Sequence, residues 1–149
     1  MKQNYEINSA TVAIVPVDQT TSKIIELEDS FLVNQSSTQI IDESCKFFGS
    51  SYMGRHEGTK NLIGVNYKSP IIVEETMELI FFPTTSPRIK ECIWISLNHI
   101  EDYTKKDCAT FIYFKNGNSL ELEISYGSLE NQILRATRLE SILRKRKLA

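Results

Sequence analysis

The chain has 149 residues, 41% hydrophobic and 24% charged, and its 17 Lys and Arg against 19 Asp and Glu leave a net charge of −2. That length suits one domain with one continuous core, residues 1–149, and the near-neutral balance excludes a general polyanion binder. The N-terminal apolar run is short and is broken by Pro16 and Asp18, so neither a secretory leader nor a membrane partner is expected. Three cysteines without CxxC spacing point to a reducing, cytoplasmic setting rather than a disulfide framework.

Ala10–Val17 and Ser22–Leu27 are β-branched runs separated by the polar Asp18–Thr21 and read as a hairpin. Phe31–Val33 adds a third short strand before the loop Asn34–Ser37. Ile40, Ile41, Cys45, Phe47 and Phe48 share one side of a helical wheel, so Thr38–Phe48 reads as a helix, capped by Ser37 or Thr38 and closed by a left-handed Gly49. A second helix starts at Ser50 or Ser51, with Tyr52, His56, Thr59 and Ile63 on one face. Gly54 and Gly58 inside it each cost about 1 kcal/mol relative to alanine. After Asn66–Pro70 the pattern turns to strands at Ile71–Val73, Glu78–Phe82 and Glu91–Leu97, with Pro83–Pro87 connecting the last two. Thr110–Phe114 and Ser119–Ile124 flank Asn116-Gly117, the strongest hairpin signal in the chain. A terminal helix runs from about Ser128 to Lys147, with Leu129, Ile133, Ala136, Leu139, Ile142 and Leu143 as its apolar stripe. The class is α+β, mainly antiparallel sheet with a short helical or loop insert near residues 38–63 and a C-terminal helix.

The charges are unevenly spread. Residues 1–43 hold Lys2 and Lys23 against seven acids, whereas residues 44–70 hold Lys46, Arg55, Lys60 and Lys68 against Glu57 alone. Residues 127–149 hold Arg135, Arg138 and the Arg144–Lys147 run against Glu130 and Glu140. Two basic islands thus sit on an acidic body, a pattern that ordinary solvated faces also produce. Cations at a helix C-terminus moreover suit the macrodipole without any ligand. The first island contains Cys45–Thr59, CKFFGSSYMGRHEGT, which carries three of the six glycines. Glycines let backbone N–H groups approach a phosphate closely, Ser50 and Ser51 add hydroxyl donors, and Arg55 adds a planar one.

Other chemistries fit less well. Gly49 and Gly54 have the glycine spacing of a nucleotide-binding loop, but Arg55 and His56 stand where that loop needs lysine and a hydroxyl. Cys92 and His99 form the one local Cys/His pair, inside an apolar strand that favours a buried structural cysteine over a nucleophile. Cys45, His56, Cys92, His99 and Cys108 lack the close-paired spacing of zinc sites. No enzyme activity, metal or cofactor is expected.

Cys45–Thr59 also closely resembles the signature of the ComK family, the competence transcription factors of Gram-positive bacteria. Ser69–Val73 (SPIIV), Cys92–Ser96 (CIWIS) and Ile124–Leu139 (ISYGSLENQILRATRL) follow in the family's order, so the resemblance covers roughly Ile7 to Leu139. It implies a sequence-specific DNA-binding activator that works as a homo-oligomer on paired A-rich/T-rich boxes, largely through the minor groove. Its targets would be genes for DNA uptake and recombination, with RNA polymerase as a further partner. The residues expected at double-stranded DNA are Lys46, Ser50, Ser51, Arg55, His56, Lys60, Arg135 and Arg138. Narrow A-tract grooves concentrate negative potential and attract inserted arginine, so a protein of modest net charge suffices if its arginines share a surface. Family members commonly carry a tail with an FMLYP-like segment that an adaptor presents to a Clp protease. This sequence stops at Ala149 without one, so adaptor-dependent proteolysis is not expected. A short relative of this kind either binds DNA itself or associates with a full-length partner and modulates it without touching DNA.

Overall fold

In the computed structural model, which describes residues 1–148, two three-stranded meanders share one sheet. β1 (Thr11–Pro16), β2 (Ser22–Glu26) and β3 (Ser30–Val33) form the first. Helices α1 (Ser37–Phe47) and α2 (Tyr52–Ile63) lead to the second, β4 (Ile71–Glu74), β5 (Leu79–Pro83) and β6 (Trp94–Ser96). β6 returns beside β1, pairing Ala13 with Ile95 and Ile14 with Trp94, so the strand order is β3-β2-β1-β6-β5-β4. A 3-10 turn, Leu97–His99, then enters a separate sheet of β7 (Ile100–Lys106), β8 (Ala109–Phe114) and β9 (Ser119–Leu122). The chain closes with α3 (Tyr126–Leu148). All named strand pairs are antiparallel, as the α+β reading expects.

Strands β1, β6, β5 and β4 of the central sheet are buried on both faces. Alternate side chains of β5 serve different cores: Leu79 and Phe81 face one way, Ile80 and Phe82 the other. The first face, with Ile14, Ile24, Phe81 and Trp94, packs under Ile40, Ile41 and Cys45 of α1 and under Tyr5 and Ile7. The second, with Ile80, Phe82 and Ile95, packs under Leu129, Ile133, Ala136 and Leu139 of α3 and under Ile112, Phe114 and Leu122 of the smaller sheet. Each such side chain contributes about 1.5–3 kcal/mol when fully removed from water. A strand buried on both faces reads as a continuous apolar run, which is why LIFFP lacks polar alternation.

Local signals set most boundaries, and the departures have identifiable causes. The cap of α1 is Ser36, whose Oγ accepts from Gln39 N–H at 3.2 Å; Ser37 is instead buried and hydrogen-bonds Ser22 Oγ at 3.0 Å. Gly49 is left-handed at φ +90°, and Ser51 caps α2 by accepting from Gly54 N–H at 3.0 Å. The expected strand at Glu78 starts one residue later because Glu78 closes the β4–β5 turn at φ +53°. The expected strand Glu91–Leu97 shrinks to Trp94–Ser96: Cys92 N–H turns back to Ile89 O at 3.1 Å and Ile93 N–H goes to Thr84 Oγ1, so neither donates to the ladder. β9 ends at Leu122 rather than Ile124. α3 begins at Tyr126, not Ser128, because Ser125 Oγ caps it by accepting from Ser128 N–H at 3.1 Å. β7 was not expected. Its sequence, IEDYTKK, is charge-rich, and pairing with β8 across a left-handed Asp107 makes it a strand.

Two prolines bracket the β4–β5 hairpin, and helix side chains hold the carbonyl of each. Thr59 Oγ1, fully buried on α2, donates to Pro70 O at 2.6 Å. Gln132 Nε2, on α3 and 1% exposed, donates to Pro83 O at 2.7 Å and to Lys68 O at 2.9 Å. Replacing either group with an apolar isostere strands buried carbonyls, at about 1–3 kcal/mol for each one left unpaired. Gln132→Leu should therefore lower the urea midpoint further than Thr59→Val, which strands one carbonyl rather than two; equal or negligible shifts would show that water replaces the amide.

Candidate nucleic-acid interface

A groove of about 1030 Å³ opens between the starts of α1 and α2, the 66–68 loop and the Ser86–Arg88 turn. Its position follows from caps and packing. Asp42 on α1 accepts the Tyr52 N–H at 2.9 Å and thereby fixes the start of α2 against α1. Ser51 turns the chain into α2, and at Gly54 an added Cβ would come within 2.9 Å of Ser50 Oγ and 3.3 Å of Ser51 Oγ. Glycine lets the two hydroxyls sit over the first turn of α2. The Gly49–Gly54 spacing is therefore a helix end followed by a helix interior, not a phosphate loop.

Tyr52 and His56 line the groove with ring centroids 5.9 Å apart, and Tyr52 meets the buried Trp94 edge-on at 6.3 Å. Burial raises the Tyr52 phenol above its ordinary pKa, so it stays neutral. His56 Nδ1 is buried with no protein partner. Lys68 and Arg88 supply positive charge, and Asp42 is the one carboxylate in the lining. Its charge is already engaged by the Tyr52 N–H and by Lys46 at 3.1 Å, and the first of these holds its carboxyl below the usual range.

The eight residues expected at DNA separate into three environments. His56 lines the groove; Ser50 and Ser51 stand at the start of α2, immediately before the lining residue Tyr52, and Lys46 reaches the rim through Asp42. Arg55 and Arg135 are partly buried and held by acceptors within the protein. Arg55 Nη1 pairs with Glu75 at 3.1 Å, its side chain is only 20% exposed, and its Nε is buried without a partner. Arg135 Nη1 donates to Tyr67 O at 3.1 Å and to Gln132 Oε1 at 3.3 Å, steadying the loop that carries Lys68. Lys60 and Arg138 are exposed and make no ion pair among the described residues.

Packing of α2 on α3 brings the two basic islands together, and the acidic β4–β5 turn lies against both. Besides Arg55, it holds Arg144 through two 2.8 Å bonds to Glu78 and takes Lys147 Nζ on Glu75 O. Arg144 holds the Glu78 carboxyl below its ordinary pKa. Of the cations in the two basic islands, Arg55 and Arg144 are thus paired with carboxylates of this turn. Sequence reasoning missed Arg88, which stands in an acid-rich part of the chain and reaches the groove only through the fold; the Ser86-Pro87 turn before it was the available signal.

The cysteines are placed for packing rather than attack. Burial pushes the Cys45 thiol up to about 11 and raises Cys92 as well, so both are protonated at neutral pH. His99 Nε2 is 2.8 Å from Ser9 O, while Cys92 Sγ donates to Thr85 O at 3.5 Å, so the two do not form a couple. Among the described residues no helix is long and apolar enough to cross a membrane.

The chain is similar to known proteins over nearly its whole length. A family model described as "ComK protein" matches residues 2–148. The competence transcription factor of Bacillus subtilis (strain 168) is 41% identical over 143 residues, covering 93% of this chain and 74% of that protein. No solved structure matches the chain significantly.

The engaged carboxylates make stability acid-sensitive. A carboxyl with a depressed folded-state pKa contributes fully above its unfolded value, 3.8 for Asp42, and that contribution fades as pH falls through the folded value. Denaturant midpoints measured from about pH 5 down to about pH 2 should fall less steeply for Asp42→Asn than for the unsubstituted protein. Parallel curves would assign the acid limb to other groups.

Proposed function

The chain belongs to the ComK family, and we propose that it is a cytoplasmic, DNA-binding transcription activator of competence genes, acting through a single domain. Its partner is double-stranded DNA carrying paired A-rich/T-rich boxes, bound as a homo-oligomer and largely through the minor groove. RNA polymerase is a further partner at the promoters it activates. The observation that carries this reading is the groove at the α1–α2 junction, where unpaired cations and two tyrosines surround a single carboxylate that is already engaged. Cations that lack in-chain partners are the ones available to phosphate, and aromatic or hydroxyl neighbours suit sugar and base edges. On this reading Lys46, Ser50, Ser51, His56, Lys60 and Arg138, from both basic islands, are further contacts to DNA. Arg55 and Arg135 contribute from beneath it, either by orienting the surface or by exchanging their protein acceptors for phosphate.

The direct experiment is fluorescence anisotropy on an A/T-box duplex and on a G/C duplex of equal length. Affinity should favour A/T and fall steeply between about 50 and 200 mM salt, because each neutralised phosphate releases counterions. Binding that ignores both salt and composition would sink the proposal. Failure to bind alone, with an altered shift of a full-length relative, would make the protein a modulator instead.

Arg55 offers a sharper test, because Glu75 already occupies it. Arg55→Ala should weaken binding by about 1–3 kcal/mol if its guanidinium reaches DNA. Glu75→Gln, which removes the competing carboxylate, should then tighten binding. Weaker binding and a lower melting temperature for both variants would assign the pair to the scaffold.

A further inference from the structure

The connection from β5 to β6 presents Arg88, Ile89 and Lys90 in succession, all exposed, at the rim of the groove. Ile89 is 47% exposed and joins neither hydrophobic core. Arg88 and Lys90 make no ion pair or side-chain hydrogen bond among the described residues, and neighbouring Glu91 pairs with neither. This is an ordered turn on a firm base. Thr84 N–H donates to Ile93 O at 2.9 Å, Ile89 N–H to Ser86 O at 2.9 Å, and Cys92 N–H to Ile89 O at 3.1 Å. Pro87 restricts the backbone at the bend, and Gln132 anchors the root of the connection at Pro83 O.

The geometry points to this turn, Ser86–Lys90, as the element that enters the DNA minor groove. Arg88 and Lys90 would lie in the electronegative A/T groove, with Ile89 as an apolar wedge against a base step. The inference rests on the DNA-binding reading above and adds the element that reads the groove. Width is the first argument. The minor groove of B-DNA is about 6 Å across, whereas a helix with its side chains measures about 10–12 Å, so neither α2 nor α3 can enter it. A turn can.

Comparison of the turns is the second argument. The β4–β5 turn is acidic and already holds Arg55 and Arg144. In the β8–β9 turn, Asn116 is bonded to Leu27 O and the nearest cation is Lys115 alone. The β7–β8 turn sets Lys105 and Lys106 directly against Asp107, with no exposed large apolar side chain. Only Ser86–Lys90, among the turns of the described residues, combines an arginine, a second cation and an exposed apolar residue. Those are the side-chain types that minor-groove proteins use to sense a narrow groove and to unstack a step.

The test is anisotropy on three duplexes with the same flanks: an A/T box, a G/C box, and an inosine–cytosine box, which restores the A/T minor-groove pattern. The unsubstituted protein should bind the A/T and inosine boxes alike and the G/C box more weakly. Arg88→Ala/Lys90→Ala should lose about tenfold or more on the A/T box, lower the salt slope by about 2, and lose its preference over G/C. Ile89→Ala should reduce the duplex bend read by end-to-end energy transfer. Melting curves should match throughout, because the side chains are exposed; were the double variant to melt early, Arg88→Lys would replace it and should show a reduced A/T preference. A variant that folds and keeps its full A/T preference overturns the inference while leaving DNA binding intact. An unsubstituted protein that binds no duplex overturns both.

Discussion

The buried amide of Gln132 is the interaction on which the arrangement of the groove depends. Its Nε2 spends both hydrogens on Pro83 O and Lys68 O, and its Oε1 accepts from Arg135. One side chain of α3 thereby positions the loop that carries Lys68 and the root of the turn that carries Arg88. An apolar replacement would leave Pro83 O unpaired in the buried interior and release Lys68 O at the groove. The left-handed Lys68, at φ +50°, is held in place by the same contact and by Arg135 on Tyr67 O.

The central sheet explains why that arrangement is rigid. Both faces of β1, β6, β5 and β4 are covered, by α1 on one side and by α3 with the smaller sheet on the other, so these strands cannot slip register without exposing a core. α2 packs between α1, α3 and the edge strand β4, with Thr59 fastened to Pro70 O. The groove is therefore assembled from the ends of elements whose bodies are fixed in two cores. Many of the side chains that line it sit on caps and turns, and the scaffold supplies their precision.

Charge is partitioned rather than simply accumulated. The β4–β5 turn takes Arg55, Arg144 and Lys147, while Lys68, Arg88 and Lys90 are left for solvent or a ligand. A near-neutral protein can present a local cationic surface in this way without the self-repulsion of a large net charge. Pairing at an exposed turn is individually weak, on the order of 0–1 kcal/mol. Such pairs can therefore exchange partners at little cost.

Much of the fold was legible from local chemistry. The β1–β2 hairpin, the Gly49 and Ser51 signals around α2, the Asn116-Gly117 turn and the apolar stripe of α3 are patterns within a few residues, and periodicity and capping report them directly. The family, too, was readable from four short blocks in order. Tertiary structure alone decided which cations are free. Arg55 meets Glu75 from 20 residues away and Arg144 meets Glu78 from 66, distances over which a sequence carries no pairing rule. It also decided that Gln132, polar and unremarkable on the helical wheel, belongs in the core, and that charge-rich Ile100–Lys106 is a strand. The physical reason is the same in each case. Capping and periodicity act through adjacent backbone, whereas burial, ion pairing and edge-strand recruitment depend on what the rest of the chain brings within a few ångströms.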